Sequence, residues 1–389
     1  MTLNPSVMKT YGRIDIAFTH GKGSFLFCED GKKYLDYATG IAVNSFGHSH
    51  PKLVKAIKNQ STKLWHVSNL YRIPEQERVA EKLVKNSCMD QVFFCNSGAE
   101  ATEGAVKVAR RYAWSCGEKE RTEIICATGA FHGRTLAMLA ANDRPAFREG
   151  FGPTVPGFTH VDWGDIASIK KKINKNVAAI LVEPVQGEGG ARQAPRGYLK
   201  ELENIARSNG SLIISDEVQI GMGRSGTLFA YQQEEIEPDI IALAKGLGGG
   251  FPIGAVLAKE KVSLLSVGEH GSTFGGNPFC TNVGYRVLKY IVDNRLIDDV
   301  SSRGQYLEKC LSPIPEGNSL VTDIRGKGLL WAIGLSKSVA SDIVTGCLEN
   351  GLLVNAVQPN AIRLVPPLTV SEGEIEKAVE VISNVISDL

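Results

Sequence analysis

The sequence predicts an α/β domain built on a mostly parallel sheet, followed by a second, smaller lobe. Short apolar runs alternate with stretches of helical periodicity between Val92 and Ala258. Those runs are continuously apolar rather than alternating, as strands buried on both faces between helix layers require. Beyond about Asn282 the texture changes to short strand-like runs and a terminal amphipathic helix. A chain of 389 residues, 43% of them hydrophobic, is long enough to bury a large core and to divide in two.

The first run is "VFF" near Val92, and it leads into "CNSGAEATEGAVKVARRYAW". Here Ala101, Ala105, Val106 and Ala109 recur at helical spacing behind a Ser-Gly turn, so a helix starts directly after a strand. "EIICA" near Ile124, "AAILVEP" near Leu181, "SLIIS" near Ile213, "DIIALA" near Ile241 and "GAVLA" near Val256 supply five more strands. Near the end, "GLLVNAVQPNAIRLVPPLTV" is expected to form short strands, and Ser371-x-x-Glu374 makes a capping box for the last helix. No internal repeat, low-complexity tract or charge block interrupts the pattern.

The 43 basic and 42 acidic residues leave a formal net charge of +1, which removes the electrostatic case for nucleic acid or an anionic membrane as partner. The amino-terminal stretch lacks the apolar core of a secretory leader, and no later run has the length of a spanning helix, so a soluble cytoplasmic protein is expected. The eight cysteines are scattered, with no Cys-x-x-Cys pair, and are expected to be reduced. His48 and His50 stand two apart, but further ligands for a metal are missing nearby. The expected ligand is a small molecule.

In open α/β sheets ligands gather at the carboxyl ends of the strands. Lys245 closes an apolar run and enters Gly246-Leu247-Gly248-Gly249-Gly250. Burial there disfavours the ammonium and favours an amine able to condense with an aldehyde, although a lysine merely reaching solvent reads the same in isolation. Asp216 ends a neighbouring run with a carboxylate suited to a protonated ring nitrogen. Ser97-Gly98-Ala99 opens a helix whose first amides and dipole favour a phosphate. Gly221-Met222-Gly223-Arg224-Ser225-Gly226 fits the G-x-G-x-x-G dinucleotide fingerprint, but no clean helical pattern follows it. The segment therefore points to Asp216, with the glycines expected in a mobile or tightly turned active-site loop.

Taken together, "CNSGAEA", "AFHGRT", "EPVQGEGG", "DEVQIGMGRSG", "ALAKGLGGGFPIGA" and "HGSTFGGNP" resemble, in one order, the class III (ω-) aminotransferases of fold type I. The resemblance runs nearly end to end and implies pyridoxal 5′-phosphate as cofactor. Within the family, "GIAVNSFGH", "SNLY" and the form of the lysine loop are most similar to the branch acting on N2-acetylornithine, with the ornithine and succinylornithine branches close by.

The resemblance implies that Lys245 binds the cofactor covalently and moves the proton, while Asp216 pairs with its ring nitrogen. Phe131 and Val218 flank the ring, Gln219 lies near its hydroxyl, and Ser97, Gly98 and Ala99 hold the phosphate. The family often has threonine where Ala99 stands, so only backbone donation carries over there. Glu217 is also among the implied cofactor positions. Thr273 is expected to reach the phosphate of a second subunit, with Ser272 beside the substrate, which implies a homodimer with shared sites. Arg134 is implied to bind the distal carboxylate and Arg363 the α-carboxylate of glutamate, with Glu188 covering Arg363 in one half of the reaction and Glu183 among the substrate positions. Residues 1–50 and 283–389 would form the small domain around a cofactor domain at 51–282. The implied reaction moves an amine from N2-acetylornithine to 2-oxoglutarate; succinyl-diaminopimelate as donor, and a semialdehyde aminomutase in its place, remain alternatives.

Overall fold

The computed structural model describes residues 6–389, so the first five residues of the amino-terminal stretch read above for a leader lie outside the described residues. Its centre is a seven-stranded sheet. From one edge to the other its strands are Gln91–Cys95, Gly254–Ala258, Ile240–Leu243, Leu212–Asp216, Val177–Val182, Glu123–Ala127 and Phe158–Val161. Every residue of the Val177–Val182, Leu212–Asp216 and Ile240–Leu243 strands is buried. This follows from their unbroken Val, Ile, Leu and Ala content, which fits strands covered on both faces.

Two features of the sheet differ from a reading of apolar runs alone. The Phe158–Val161 edge strand was not among those runs, because only Val161 is buried and Thr159 and His160 break the apolar pattern. The Gly254–Ala258 strand is antiparallel to both of its neighbours, whereas the other pairs are parallel. Its beginning therefore lies at the rim where the other strands end, with Gly254 opposite Cys95 and Ala255 opposite Leu243.

The Gly98–Ser115 helix lies across this sheet with Ala101, Ala105, Val106 and Ala109 on its buried face. At its start Gly98 is required: a Cβ there would stand 2.8 Å from Cγ1 of Val218. Strands Phe18–Lys22, Phe25–Cys28 and Lys33–Asp36 form a separate sheet with Leu352–Leu353, joining the two ends of the chain. A further antiparallel sheet runs in the order Val321–Lys327, Leu330–Leu335, Ala361–Leu364, Asn355–Gln358. It places Arg363 opposite Ala332 on one side and Asn355 on the other. The Ser371 and Glu374 capping box forms at the start of the Glu372–Ser387 helix. Asn282 falls inside the Pro278–Asp293 helix, so a continuous helix carries the chain through that position.

His48 Nε2 bonds Asp36 Oδ2 at 2.8 Å, and the His50 ring packs against Phe46 and Tyr290. Among the described residues no helix is long and apolar enough to cross a membrane.

Candidate active site

The strand ends open into a cavity of about 470 Å³, a size that suits a small molecule. Ser97, Gly98, Ala99, Phe131, Arg134, Glu183, Asp216, Val218, Gln219 and Lys245 all line it. Phe251, Pro252 and Ile253 complete the wall because the strand that follows them runs against its neighbours.

Asp216 is the last residue of its strand and only 4% exposed. Its Oδ1 accepts the amide proton of Val218 at 3.0 Å, and Oδ2 is 2.8 Å from Nδ1 of His132. His132, to which the sequence assigned no role, is held tightly. Thr102 Oγ1 donates to its carbonyl at 2.6 Å, and Asn142 accepts its amide proton at 2.9 Å. Burial opposes a charge on this imidazole, but the hydrogen bond and charge of Asp216, helped by Glu183, raise its pKa on balance. The one sequence signal for it was its place in "AFHGRT" just past a strand end.

Glu183 accepts the amide protons of Phe131 at 3.1 Å and Gly187 at 3.3 Å, and burial pushes its pKa up to about 7.

Lys245 sits directly after the Ile240–Leu243 strand and Ala244, with φ of +40°. A left-handed backbone at a non-glycine residue costs about 1–3 kcal/mol and persists where the surroundings over-determine it. Burial lowers the pKa of its amine. The charge of Glu188 opposes that shift, and Arg363 adds to it. The free amine needed to attack an aldehyde is favoured accordingly.

The first turn of the Gly98–Ser115 helix faces the same cavity, and its leading amides have no preceding helical carbonyl to bind. Ser97 Oγ is engaged with Glu100, accepting its amide proton at 3.2 Å and donating to its carboxylate at 2.9 Å. The amides of Gly98 and Ala99 are thus left available to an anion at this end of the helix. A molecule with a phosphate, a basic ring nitrogen and an aldehyde fits this set, with helix amides for the first, Asp216 for the second and the Lys245 amine for the third.

Beside the cavity, Arg363 is fully buried. Its Nη1 lies 2.5 Å from Oε1 of Glu188 and donates to Oε1 of Gln219 at 3.0 Å, while Nε donates to Asn355 at 3.3 Å. Its Nη2 is buried without a hydrogen bond. Burial works against the Glu188 carboxylate, but the charge and hydrogen bond of Arg363 prevail and lower its pKa. Arg134 is exposed, with its guanidinium 3.5 Å from the ring centre of Phe147 and 5.5 Å from that of Phe131.

Three expected positions lie elsewhere. Glu217 follows Asp216 but turns the opposite way, accepting the amide protons of Ala230 and Tyr231 at 2.8 Å each, so it does not face the cavity. Ser272 and Thr273 line a different cleft, with Ser272 Oγ accepting from Asn96 at 3.1 Å. The glycine-rich Gly221–Gly226 segment is tightly turned and buried, and does not line the cavity. Arg224 within it donates to carbonyls of Leu329 and Pro366, so this turn serves the junction with the carboxy-terminal strands rather than the cavity.

Comparison with known proteins bears on the chain as a whole. The family model "Aminotransferase class-III" matches residues 7–386. The acetylornithine aminotransferase of Mesorhizobium japonicum is 47% identical over 376 residues, spanning 96% of this chain and 94% of its own length. The ornithine aminotransferase of Toxoplasma gondii superposes with a TM-score of 0.95 at 31% identity, over 98% of this chain and 93% of its own. The acetylornithine aminotransferase of Elizabethkingia anophelis does so at 0.87 and 33%, over 98% and 96%. A likeness of that extent, carried by sequence and fold alike, makes this chain a member of the class-III aminotransferase family.

Proposed function

We propose that this protein transfers the terminal amine of N2-acetylornithine to 2-oxoglutarate, giving N-acetylglutamate 5-semialdehyde and glutamate, as a step of arginine biosynthesis in the cytoplasm. The observation that carries the reading is the convergence of the Lys245 amine, the Asp216 carboxylate and the first turn of the Gly98–Ser115 helix on one cavity, next to a buried Arg363 with a free Nη2. Identities of 44–47% over nearly the whole chain to several acetylornithine aminotransferases support this donor.

Pyridoxal 5′-phosphate, when bound, supplies an aldehyde for the incoming amine and a ring that takes up the electron pair left by proton loss. The protein supplies the rest. Gly98 and Ala99 amides would hold the phosphate, and Phe131 and Val218, which line the cavity, would flank the ring. Asp216, oriented by His132, would set its carboxylate opposite the ring nitrogen. Lys245 Nζ would take the proton from the carbon bearing the amine and deliver it to the former aldehyde carbon, which is what lets the amine change carriers. Its lowered pKa suits it to that exchange.

Glutamate places an α-carboxylate beside its reacting carbon, whereas acetylornithine places only hydrogen there. Glu188 neutralises the buried Arg363 when acetylornithine is bound, because a lone buried guanidinium is costly. When glutamate or 2-oxoglutarate enters, the α-carboxylate takes that place as Glu188 swings away. Glu188→Ala is expected to slow the acetylornithine half-reaction while the glutamate half holds or improves. Single-turnover absorbance changes with each donor separate the two, and equal slowing of both contradicts the exchange.

Arg134 binds the distal carboxylate, its guanidinium braced on Phe147. Arg134→Ala is expected to raise KM for acetylornithine about ten-fold or more, with little change for a simple amine lacking a carboxylate. Equal losses for the two donors contradict the role. Donor panels with 2-oxoglutarate also decide between acetylornithine and ornithine, succinylornithine or succinyl-diaminopimelate. A semialdehyde aminomutase needs no added acceptor.

The working unit is a homodimer. Leu70, Tyr71 and Phe274 are 85%, 68% and 62% exposed, and Leu70 shares a cleft with Ser272 and Thr273. An exposed apolar patch at that place supports a subunit contact through which Thr273 reaches a second active site.

A further inference from the structure

Glu188 stands in the turn Gln186-Gly187-Glu188-Gly189-Gly190, where glycine on both sides leaves the backbone free to take many conformations. Each of three successive carbonyls in this turn nevertheless accepts a bond from a different element. Arg144 Nη2 donates to the carbonyl of Glu188 at 2.6 Å, Gln358 to that of Gly189 at 3.2 Å, and Arg325 Nε to that of Gly190 at 2.6 Å. Arg325 and Gln358 belong to the sheet that carries Arg363, so they tie the turn to the partner of Glu188. Arg144 lies outside that sheet, between the Leu136–Ala141 helix and the short Pro145–Arg148 helix. Its guanidinium also lies 5.4 Å from the ring centre of Phe147, the ring on which Arg134 rests at 3.5 Å.

We propose that Arg144 is a positioning residue for discrimination between the two amine donors. It fixes the peptide plane from which the Glu188 side chain is aimed at Arg363, and through Phe147 it joins that aim to the Arg134 side of the cavity. A charged donor on a carbonyl is among the stronger hydrogen bonds, and the glycines next to Glu188 offer no stiffness to replace it. Because the contact is to the backbone, the Glu188 carboxylate stays free to rotate while its origin stays fixed. The exchange between carboxylates is therefore a side-chain movement on a pinned turn. The inference rests on the Glu188 exchange proposed above.

The test uses holoenzyme and single-turnover absorbance with N2-acetylornithine and glutamate separately, for Arg144→Ala, Glu188→Ala and the double variant. Arg144→Ala is expected to slow the acetylornithine half about five-fold or more and to leave the glutamate half within about two-fold. Arg144→Lys, which keeps a charged donor, should recover much of the loss. In the Glu188→Ala background the Arg144 substitution should add less than about two-fold, since the group it aims is gone. Where Arg144→Ala does not yield folded protein, Arg144→Gln keeps most of the stem and carries the same comparison. Equal slowing of both halves, or an undiminished effect of Arg144→Ala without the Glu188 carboxylate, overturns the inference. If Glu188→Ala shows the expected split and Arg144→Ala does not, the positioning role alone fails; if Glu188→Ala shows none, the exchange itself fails.

Discussion

Replacing Lys245 by alanine is expected to lower transamination by at least about a thousand-fold, because a positioned acid–base group alone contributes about 10²–10⁴ and the attacking amine is lost with it. Its place leaves few substitutes. Lys245 lines the cavity with Asp216, Glu183 and Gln219, and Lys245 is the one lysine among the cavity's lining residues. The helix amides and Asp216 stay in place, so the variant should still take up pyridoxal phosphate, now without a covalent link. Borohydride reduction of the wild-type holoenzyme followed by peptide mapping should find the label on Lys245. A label on another lysine, or an alanine variant within about ten-fold of wild type, rules Lys245 out as both the covalent anchor and the proton carrier.

Asp216→Asn is expected to have the next largest effect, lowering kcat/KM about thirty-fold or more, the range for disrupting a buried hydrogen-bonded charge pair. Asparagine keeps the shape of the side chain but removes the negative charge opposite the ring nitrogen. It also deprives His132 of the partner that raises its pKa against the pull of burial. The sign of the pH effect follows. With Asp216 present, the pair's contribution to stability is full below the ordinary histidine value of 6.5 and is lost as pH rises through the raised value of His132. In the asparagine variant that portion of the pH dependence should vanish, as thermal midpoints measured across the range would show. Activity within about three-fold of wild type would count against a role for the Asp216 charge.

Much of this architecture is legible along the chain because it depends on near neighbours. Unbroken apolar runs such as "AAILV" and "DIIAL" require two covered faces, and both are buried inner strands. Ser371 and Glu374 are three residues apart, so their reciprocal cap needs nothing but the first turn of the helix. Where apolarity is broken the sequence is quiet: the Phe158–Val161 strand lies at an edge and carries polar residues. Chain neighbourhood is also a poor guide to where a side chain points. Glu217 stands next to Asp216 yet turns to the amides of Ala230 and Tyr231.

The sequence by itself determined the α/β class, the helix opening at Gly98, and the placing of Lys245 and Asp216 beside strand ends, since each is a matter of periodicity, capping and burial within a few residues. Only the tertiary structure decided that the Gly254–Ala258 strand runs backwards and brings Phe251, Pro252 and Ile253 to the cavity. It also decided that His132 meets Asp216 across 84 positions, and it brought Glu188 to Arg363 across 175, a pairing that the family resemblance alone had implied. Such pairs leave no local trace, because a buried charge finds its partner by the packing of whole elements, and the residue types along the chain record which charges need a partner without recording which one is near.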